Sequence, residues 1–483
     1  IFFCFFVKNA TSLEITLPIV LYKPLSKSHE TSIIGSSNIV IDSNEIMQNN
    51  NLPIQNILEL KSGIKSRSIY GSHYSGSKST IDIRGMGAQA KSNVLILING
   101  QRLNNIDMSE IDFPSIPVES IDRVEVIKGG AGSVLYGDGA IGGAINIITN
   151  PEQRYDKKNK FLLKYGVFNT IEANFYHSET NDNLTFTSHA NHFETDGYRD
   201  ENEQQQNNFT SELRYAGSES DHFITLNFSE QIMSTPGDRD QDQLFSDRRG
   251  SDTIDDFVNS LGGSFLYSSD YKLNDNINFI LNSSLRIKNS FSDLQSSSYP
   301  SYSDTLLRNY QLSPRYEQKT SLLGYDSSFT YGIDFRYADY KSYRKETEIA
   351  IPLHTYDAWE SSLSFYSQNS TKLNNKTTLS NGFRFQNNTI KITDNLDTNA
   401  PDYSGWQTEH EKYSDNETNV IFNLGFDHNA NDEITIYSRV GNAFRYPNID
   451  DRIGGSGGTS LHLETQTTND IETGFKYNNE NFS

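Results

Sequence analysis

The segment "FTYGIDFRYADY" alternates without a break: Phe329, Tyr331, Ile333, Phe335 and Tyr337 fall on one face, and Thr330, Gly332, Asp334 and Arg336 on the other. Successive side chains of a strand point to opposite faces, so this pattern settles where one face meets an apolar phase and the other meets water. The same alternation recurs through most of the chain. "DFVNSLGGSFLY" aligns Phe257, Leu261, Phe265 and Tyr267, and "NINFILNSSLRIK" aligns Ile277, Phe279, Leu281, Leu285 and Ile287. "NVIFNLGFD" aligns Val420, Phe422, Leu424 and Phe426. Roughly fourteen such segments follow Pro151, typically about ten residues or longer, the length that crosses a bilayer as a tilted strand.

The connections are unequal. "NDN" and "NAND" are tight, whereas "MSTPGDRDQDQLFSDRRGSDTIDD" and "LDTNAPDYSGWQTEHEKYSDNE" are long and polar. Short turns at one end and long loops at the other are how a transmembrane barrel is connected. Composition agrees: only 35% of residues are hydrophobic although 12% are aromatic, and Asn, Ser, Thr and Gly fill the opposite faces. A large secreted sandwich or β-helix is the alternative that patterning alone leaves open. The formal charge of −21 provides no basic stripe to neutralise phosphates, so nucleic acid is not an expected partner. The single cysteine, Cys4, excludes a disulfide framework and cysteine-ligated zinc. No run of about eighteen apolar residues occurs, so no transmembrane helix is expected. There is no H-E-x-x-H and no Walker A, and a loose G-x-S-x-G at Gly71 has the wrong spacing for a nucleophile elbow. An enzyme is not expected.

Before Pro151 the style is mixed α/β. "SNEIMQNNNLPIQNILELKSGI" reads as one amphipathic helix, with Ile54, Ile57, Leu58 and Ile64 on its apolar face and Gly63 as its stop. "IDIRG", "NVLILING", "DRVEVIKGG" and "GAINIITN" are strand-length apolar runs bounded by Gly or Asn. "GDGAIGGAINIITN" contains G-x-G-x-x-G at Gly137, Gly139 and Gly142. A dinucleotide site needs a helix after these glycines, but "AINIITN" is short and β-branched and ends against Pro151, so that reading fails. The glycines are expected instead to make tight turns around "SVLYG" between two strands.

Taken together, "IDIRGMG", "VLILINGQRLNN" and "IPVESIDRVEVIKGGAGSVLYGDGAIGGAINIITN" resemble the plug domain of TonB-dependent outer-membrane receptors, in the family's order. "YSRVGNAFRYPNIDD" and "ETGFKY" resemble the barrel of the same family. The resemblance implies a mainly β fold: a transmembrane antiparallel β-barrel, 22 strands in full, with an N-terminal α/β plug domain inside. It implies residence in the outer membrane of a Gram-negative bacterium and import of a scarce nutrient on energy relayed by TonB and its inner-membrane complex. On this reading residues 1–12 are a signal-peptide remnant, 13–36 the TonB-box region and linker, 37–151 the plug, and 152–483 a partial barrel. About fourteen strands would then be present, with the chain cut short at both ends.

Candidate working residues follow from the same resemblance. The TonB box is expected at Glu14, Ile15, Thr16, Leu17, Pro18, Ile19 and Val20, pairing by strand addition, with "ETSIIGS" at 30–36 as rival. Pro18 is awkward there because it removes a donor. The cargo is expected to be an iron complex, a ferric siderophore ahead of haem. A cobalamin receptor is the alternative within the family, and a passive porin or adhesin barrel the alternative outside it. Plug apices should present Tyr70, His73 and Tyr74 in "SIYGSHYSGSKS", and Asn105, Asp107 and Met108 in "NNIDMSEIDF". Packing against the wall is the plainer role for Tyr70 and Tyr74. The loop 237–256 offers Arg239, Arg248 and Arg249 to an anionic chelate, and Asp238, Asp240 and Asp242 to calcium. Its spacing matches no strict calcium loop, and a solvated acidic surface is the simpler reading. No cofactor is required. Arg84 and Arg123, in plug strands, are expected to pair with barrel-wall glutamates, either here or in strands beyond the end of this chain.

Overall fold

The computed structural model describes residues 34–49, 52–68, 79–109, 111, 113–149, 157–296, 300–401, 412–453 and 461–477. The expected signal remnant, the TonB box at Glu14–Val20 and the apex residues Tyr70, His73 and Tyr74 lie outside the described residues.

The first unit forms where the sequence carries its fully apolar runs. It comprises β1 (Asn38–Asp42), α1 (Ser43–Gln48), α2 (Ile54–Glu59), β2 (Ile64–Ser68), β3 (Ser79–Ile83), α3 (Ala90–Asn93), β4 (Val94–Ile98), β5 (Gln101–Arg102), β6 (Ile121–Lys128), α4 (Ser133–Tyr136) and β7 (Gly143–Thr149). Five strands make one sheet in the order β1-β6-β7-β4-β5, and β2 pairs β3 separately. β4 runs parallel to β7 and the other neighbours are antiparallel. "VLILI" is buried at every position, which is why it lacks alternation. Ile41, Ile46, Ile57, Leu58, Ile83, Val124, Val126, Ile145 and Ile147 close the core, each with no exposed surface.

Two local expectations change. The single helix read over residues 43–63 is two, because Pro53 cannot continue a helix and instead opens α2 with an extended ψ of 155°. Ile54, Ile57 and Leu58 are buried as expected, but Ile64 enters the core from the first position of β2. "SVLY" is one turn of helix, α4.

The second unit is a single antiparallel sheet whose strands pair strictly in chain order. It runs β8 (Lys157–Tyr165), β9 (Ile171–Asn181), β10 (Leu184–Thr195), β11 (Gln204–Ala216), β12 (Ser220–Ser234), the short helix α5 (Gln241–Ser246), β13 (Phe257–Asn274) and β14 (Ile277–Leu294). It continues through β15 (Ser301–Leu322), β16 (Tyr325–Lys345), β17 (His354–Lys372), β18 (Thr377–Leu396), β19 (Tyr413–Asn429), β20 (Ile434–Arg445), the helix α6 (Ile449–Ile453) and β21 (Gln466–Tyr477). Fourteen strands are thus present, in agreement with the pattern count. Connections at 182–183, 217–219, 275–276, 323–324, 373–376 and 430–433 are all tight, while those at the other end vary from the short 166–170 to the long 235–256 and 446–465. Ile333, Phe335, Leu363, Phe365, Phe383, Phe385, Val420, Phe422 and Leu424 stay exposed on the outer face, a continuous apolar belt. The opposite positions face the first unit, which sits in the lumen of the curved wall.

Candidate functional site

Several buried polar side chains tie the inner domain to the wall, beside apolar contacts such as that of Val134 with Ile421 and Phe444. The core of this arrangement is Asp138, in the turn between α4 and β7. Gly137 makes that turn possible: its φ of +84° is left-handed, and a Cβ there would meet Gln386 Oε1 at 2.8 Å and Arg384 Nη2 at 3.0 Å. Of the G-x-G-x-x-G, Gly137 lets backbone approach wall side chains, while Gly139 and Gly142 pack close against Arg102, Asn93 and Ile83 of the inner domain itself.

Asp138 accepts from Arg102 at 3.0 Å, from Gln386 of β18 at 2.8 Å and from Arg336 of β16. Arg102 also donates to the Asp138 carbonyl. Burial alone would raise the Asp138 carboxyl, but Arg102, then Arg336, outweigh it and hold it well below the usual carboxylate range. Burial and the like charge of Arg336 bring Arg102 down to about 10, so it stays protonated at neutral pH. Beside this cluster Arg384, about 1% exposed, pairs with Asp334 at 2.7 Å. It also donates to the carbonyls of Val134 and Leu135 in α4, at 3.3 and 3.4 Å.

A second tie lies near β21. Arg84, itself left-handed at φ 66°, pairs with Glu472 at 2.5 Å, and the Ser37 backbone N–H donates to the same carboxylate at 3.3 Å. The expected wall glutamate for Arg84 is therefore in this chain. Arg123 pairs with Asp122 and Glu125, both at 2.9 Å, within its own strand β6. Lys160 of β8 adds a third tie, to Glu119 at 2.8 Å.

The outer apex is the loop after β5. Asn105 accepts from Arg286 of β14 at 2.6 Å and from Asn309 of β15 at 3.3 Å. Asp107 accepts from the Ser109 N–H at 3.1 Å and hydroxyl at 2.5 Å. The Met108 backbone N–H donates to Asp450 of α6 at 2.9 Å, and Ile449 N–H donates to the Ile106 carbonyl at 2.8 Å. Thus α6, at the long-loop end, folds down onto the apex. Burial, then the nearby Asp107, raises the Asp450 carboxyl.

Of the three loop arginines, Arg239 is occupied by Asp247 and Asp252, both at 3.0 Å. Arg249 lies between the rings of Phe168 and Tyr198, 5.5 and 5.6 Å from their centroids, and donates to the Tyr198 carbonyl. Arg248 is exposed. The structure gathers none of these three at the apex. The three aspartates named for calcium are placed as follows. Asp240 caps α5, accepting from Gln243 N–H at 2.8 Å, while Asp238 and Asp242 are exposed. Among the described residues no three His, Cys, Asp or Glu side chains are grouped to hold a metal ion.

Cavities flank the Asp138 cluster. One of about 60 Å³ lies toward the long loops, and one of about 210 Å³ lies toward the short turns. Both are lined by Arg102, Gln311 and Arg336, so these side chains form the partition between them. Sequence reading missed Arg102, Asp138, Arg286, Arg336 and Arg384. The available signal was parity: charged residues at the water-facing positions of alternating strands, such as Asp334 and Arg336 in β16, are side chains aimed into the lumen.

A family model described as the TonB-dependent receptor plug domain matches residues 32–144. One described as the TonB-dependent receptor-like β-barrel matches residues 136–483. The vitamin B12 transporter BtuB of Vibrio vulnificus (strain CMCP6) is 37% identical over 118 residues. That match takes in 24% of this chain and spans only 18% of the relative's length. Among solved structures, the unliganded ferric citrate transporter FecA superposes with a TM-score of 0.75 at 15% identity, covering 92% of this chain and 68% of that one. The ferric yersiniabactin uptake receptor FyuA of Yersinia pestis gives 0.72 at 16% identity, covering 92% and 70%. At such identities these two likenesses establish the fold.

Proposed function

Because this chain belongs to the TonB-dependent receptor family, we propose that it is an outer-membrane receptor that binds an iron chelate, a ferric siderophore foremost, and imports it to the periplasm with TonB. The apolar belt faces lipid, the long loops face outward, and the inner domain is the plug. The observation that carries this reading is the buried charge that ties the plug to the wall: Asp138 and Arg102 of the plug against Arg336, and the α4 carbonyls against Arg384. Separating a buried ion pair costs several kcal/mol, roughly 3–5 when one partner is left alone. A passive pore has no use for such a seal, whereas a receptor opened by an energised partner does.

The cobalamin reading is favoured by one observation, the stretch of likeness to a vitamin B12 transporter. Growth separates the two. Cells carrying the full-length gene, with and without TonB, are supplied with single iron sources or with cobalamin. TonB-dependent growth on an iron chelate is expected. Growth rescued by cobalamin alone replaces the cargo, and uptake that persists without TonB discards the receptor reading.

A further inference from the structure

The outward side of the wall differs in charge between its two ends. Strand register carries one outward row from Phe279 through Tyr316, Tyr331 and Ser367 to Phe383. From that row down to the short turns, no outward position of β14 to β18 is charged. Toward the long loops the same five strands set eight charged side chains on outward positions, and four are cations: Arg308, Lys341, Lys345 and Lys391.

These charges stand on an aromatic girdle. One outward row runs Arg308, Asp339, Trp359 and Lys391 across four adjacent strands. Tyr337, two positions before Asp339 on β16, stacks on Trp359 at 6.3 Å between centroids and lies 6.1 Å from Tyr310. Tyr and Trp on the outside of a barrel gather at the membrane–water interface, so this row stands at the depth of lipid headgroups. Lys341 occupies the next row, opposite Asp357.

The four interleaved acids keep the formal charge of the band at zero, so it is no general attractor of anions. Any attraction is local, and the cations retain the capacity for it. Lys391 is exposed, with no ion-pair or hydrogen-bond partner among the described residues. Lys341 approaches Asp357 only to 3.7 Å, with both side chains about half exposed. Arg308 meets Asp339 at 3.0 Å but stays 43% exposed, and a five-donor fork has donors left over. From Arg308 to Lys391 is three interstrand steps, about 14 Å at roughly 4.7–4.9 Å each. That is the scale of a disaccharide carrying a phosphate at each end. Directly below, the exposed Leu312, Phe335 and Leu363 offer apolar surface to acyl chains.

Resting on the receptor reading, we propose that Lys391, Lys341 and Arg308, set around Trp359, form a binding site for a bisphosphorylated glycolipid of the outer leaflet. The phosphates meet the ammonium and guanidinium groups, and the acyl chains lie along the apolar belt. The site fixes the depth of the wall in the membrane and takes no part in choosing cargo.

The test places purified full-length receptor in phosphatidylethanolamine vesicles doped with bisphosphorylated lipid A, or with the same lipid stripped of both phosphates. The receptor is then solubilised and captured, and the lipid it retains is measured by mass spectrometry. Retention of the phosphorylated form is expected, and inorganic phosphate should not displace it. Lys341→Gln with Lys391→Gln should lower retention about tenfold, the usual worth of a charged hydrogen bond. Lys341→Arg with Lys391→Arg should keep it, which separates lost charge from poor folding. Lys376→Gln, in the short turn between β17 and β18, should change nothing. Equal retention of both lipids, displacement by inorganic phosphate, an unaffected Gln pair, or an equal loss in Lys376→Gln overturns the site and shows the band to be an ordinary solvated surface. None of these outcomes touches TonB-dependent uptake, and TonB-independent growth in the cellular assay separately discards the receptor reading.

Discussion

Asp138 joins three stretches of chain far apart in sequence. Arg336 is 198 positions away, Gln386 is 248, and Arg102 is 36 positions upstream. Removing its charge takes the hydrogen-bonded counter-ion from two buried guanidiniums that face each other, and leaves only the more distant Glu360 and Asp334 of the wall to balance them. Asp138→Asn should therefore loosen the plug by about 3 kcal/mol or more. The check is protease access to the plug as urea is raised, which should begin at lower urea in the variant while the wall resists as before. Equal midpoints would remove Asp138 from the seal. The pH dependence has a definite sign. The folded carboxyl lies below its unfolded value, so its contribution is complete above the ordinary carboxylate range and is lost only as pH falls through the folded value. Plug retention by Asp138 should consequently be flat between about pH 5 and 8. Little of this was legible in the sequence. Arg84 could be read because "IDIRG" carries it in a recognisable setting, whereas Asp138 stood inside a glycine pattern whose meaning depends on strands not yet folded around it.

At the scale of the element, alternation was readable because it is a local property: period two fixes which side chain meets which phase. Phe365 shows what that phase demands. It lies near the middle of β17, in register with Ile333 and Phe385, and is exposed on the outer face. Phe365→Arg should cost about 2–4 kcal/mol if that face lies in hydrocarbon near the bilayer midplane. The neighbouring Ser364 points inward, and its buried hydroxyl has no hydrogen-bond partner among the described residues. Ser364→Ala should be close to neutral, since nothing is left unsatisfied. Denaturant unfolding of full-length receptor from lipid vesicles compares the two; similar, small costs at both positions would place the belt outside the membrane. Helices were less legible than strands. Pro53 split one amphipathic pattern in two, and "SVLY" makes a single helical turn whose Val134 and Leu135 carbonyls accept hydrogen bonds from Arg384 of the wall. Those partners come from β18, about 250 residues on, beyond the reach of any local pattern.

For the whole molecule the open question is whether the plug must leave its seat for cargo to pass. Two routes are physically distinct. In one, α4 separates from β18 and the plug shifts as a body. In the other, only Arg102 and Arg336 rearrange, joining the cavities of about 60 and 210 Å³ on either side of them. A cross-link decides between them. Val134 Cβ lies 3.4 Å from the position a Cβ would take on Gly382, near the roughly 3.5–4.5 Å that disulfides span. Within these 483 residues Cys4 is the one other thiol. Val134→Cys with Gly382→Cys should oxidise to a bond that fixes α4 to β18 without touching the plug apex, so chelate binding should be unchanged. Because the seal ties α4, Asp138 and Arg84 to three regions of the wall at once, the first route is expected: uptake should stop in the oxidised receptor and return on reduction. Uptake at the wild-type rate through the oxidised form would mean that α4 stays seated. Cargo would then pass by the Arg102–Arg336 partition, and Asp138, as their shared counter-ion, would be the residue whose loss alone lets small solutes leak.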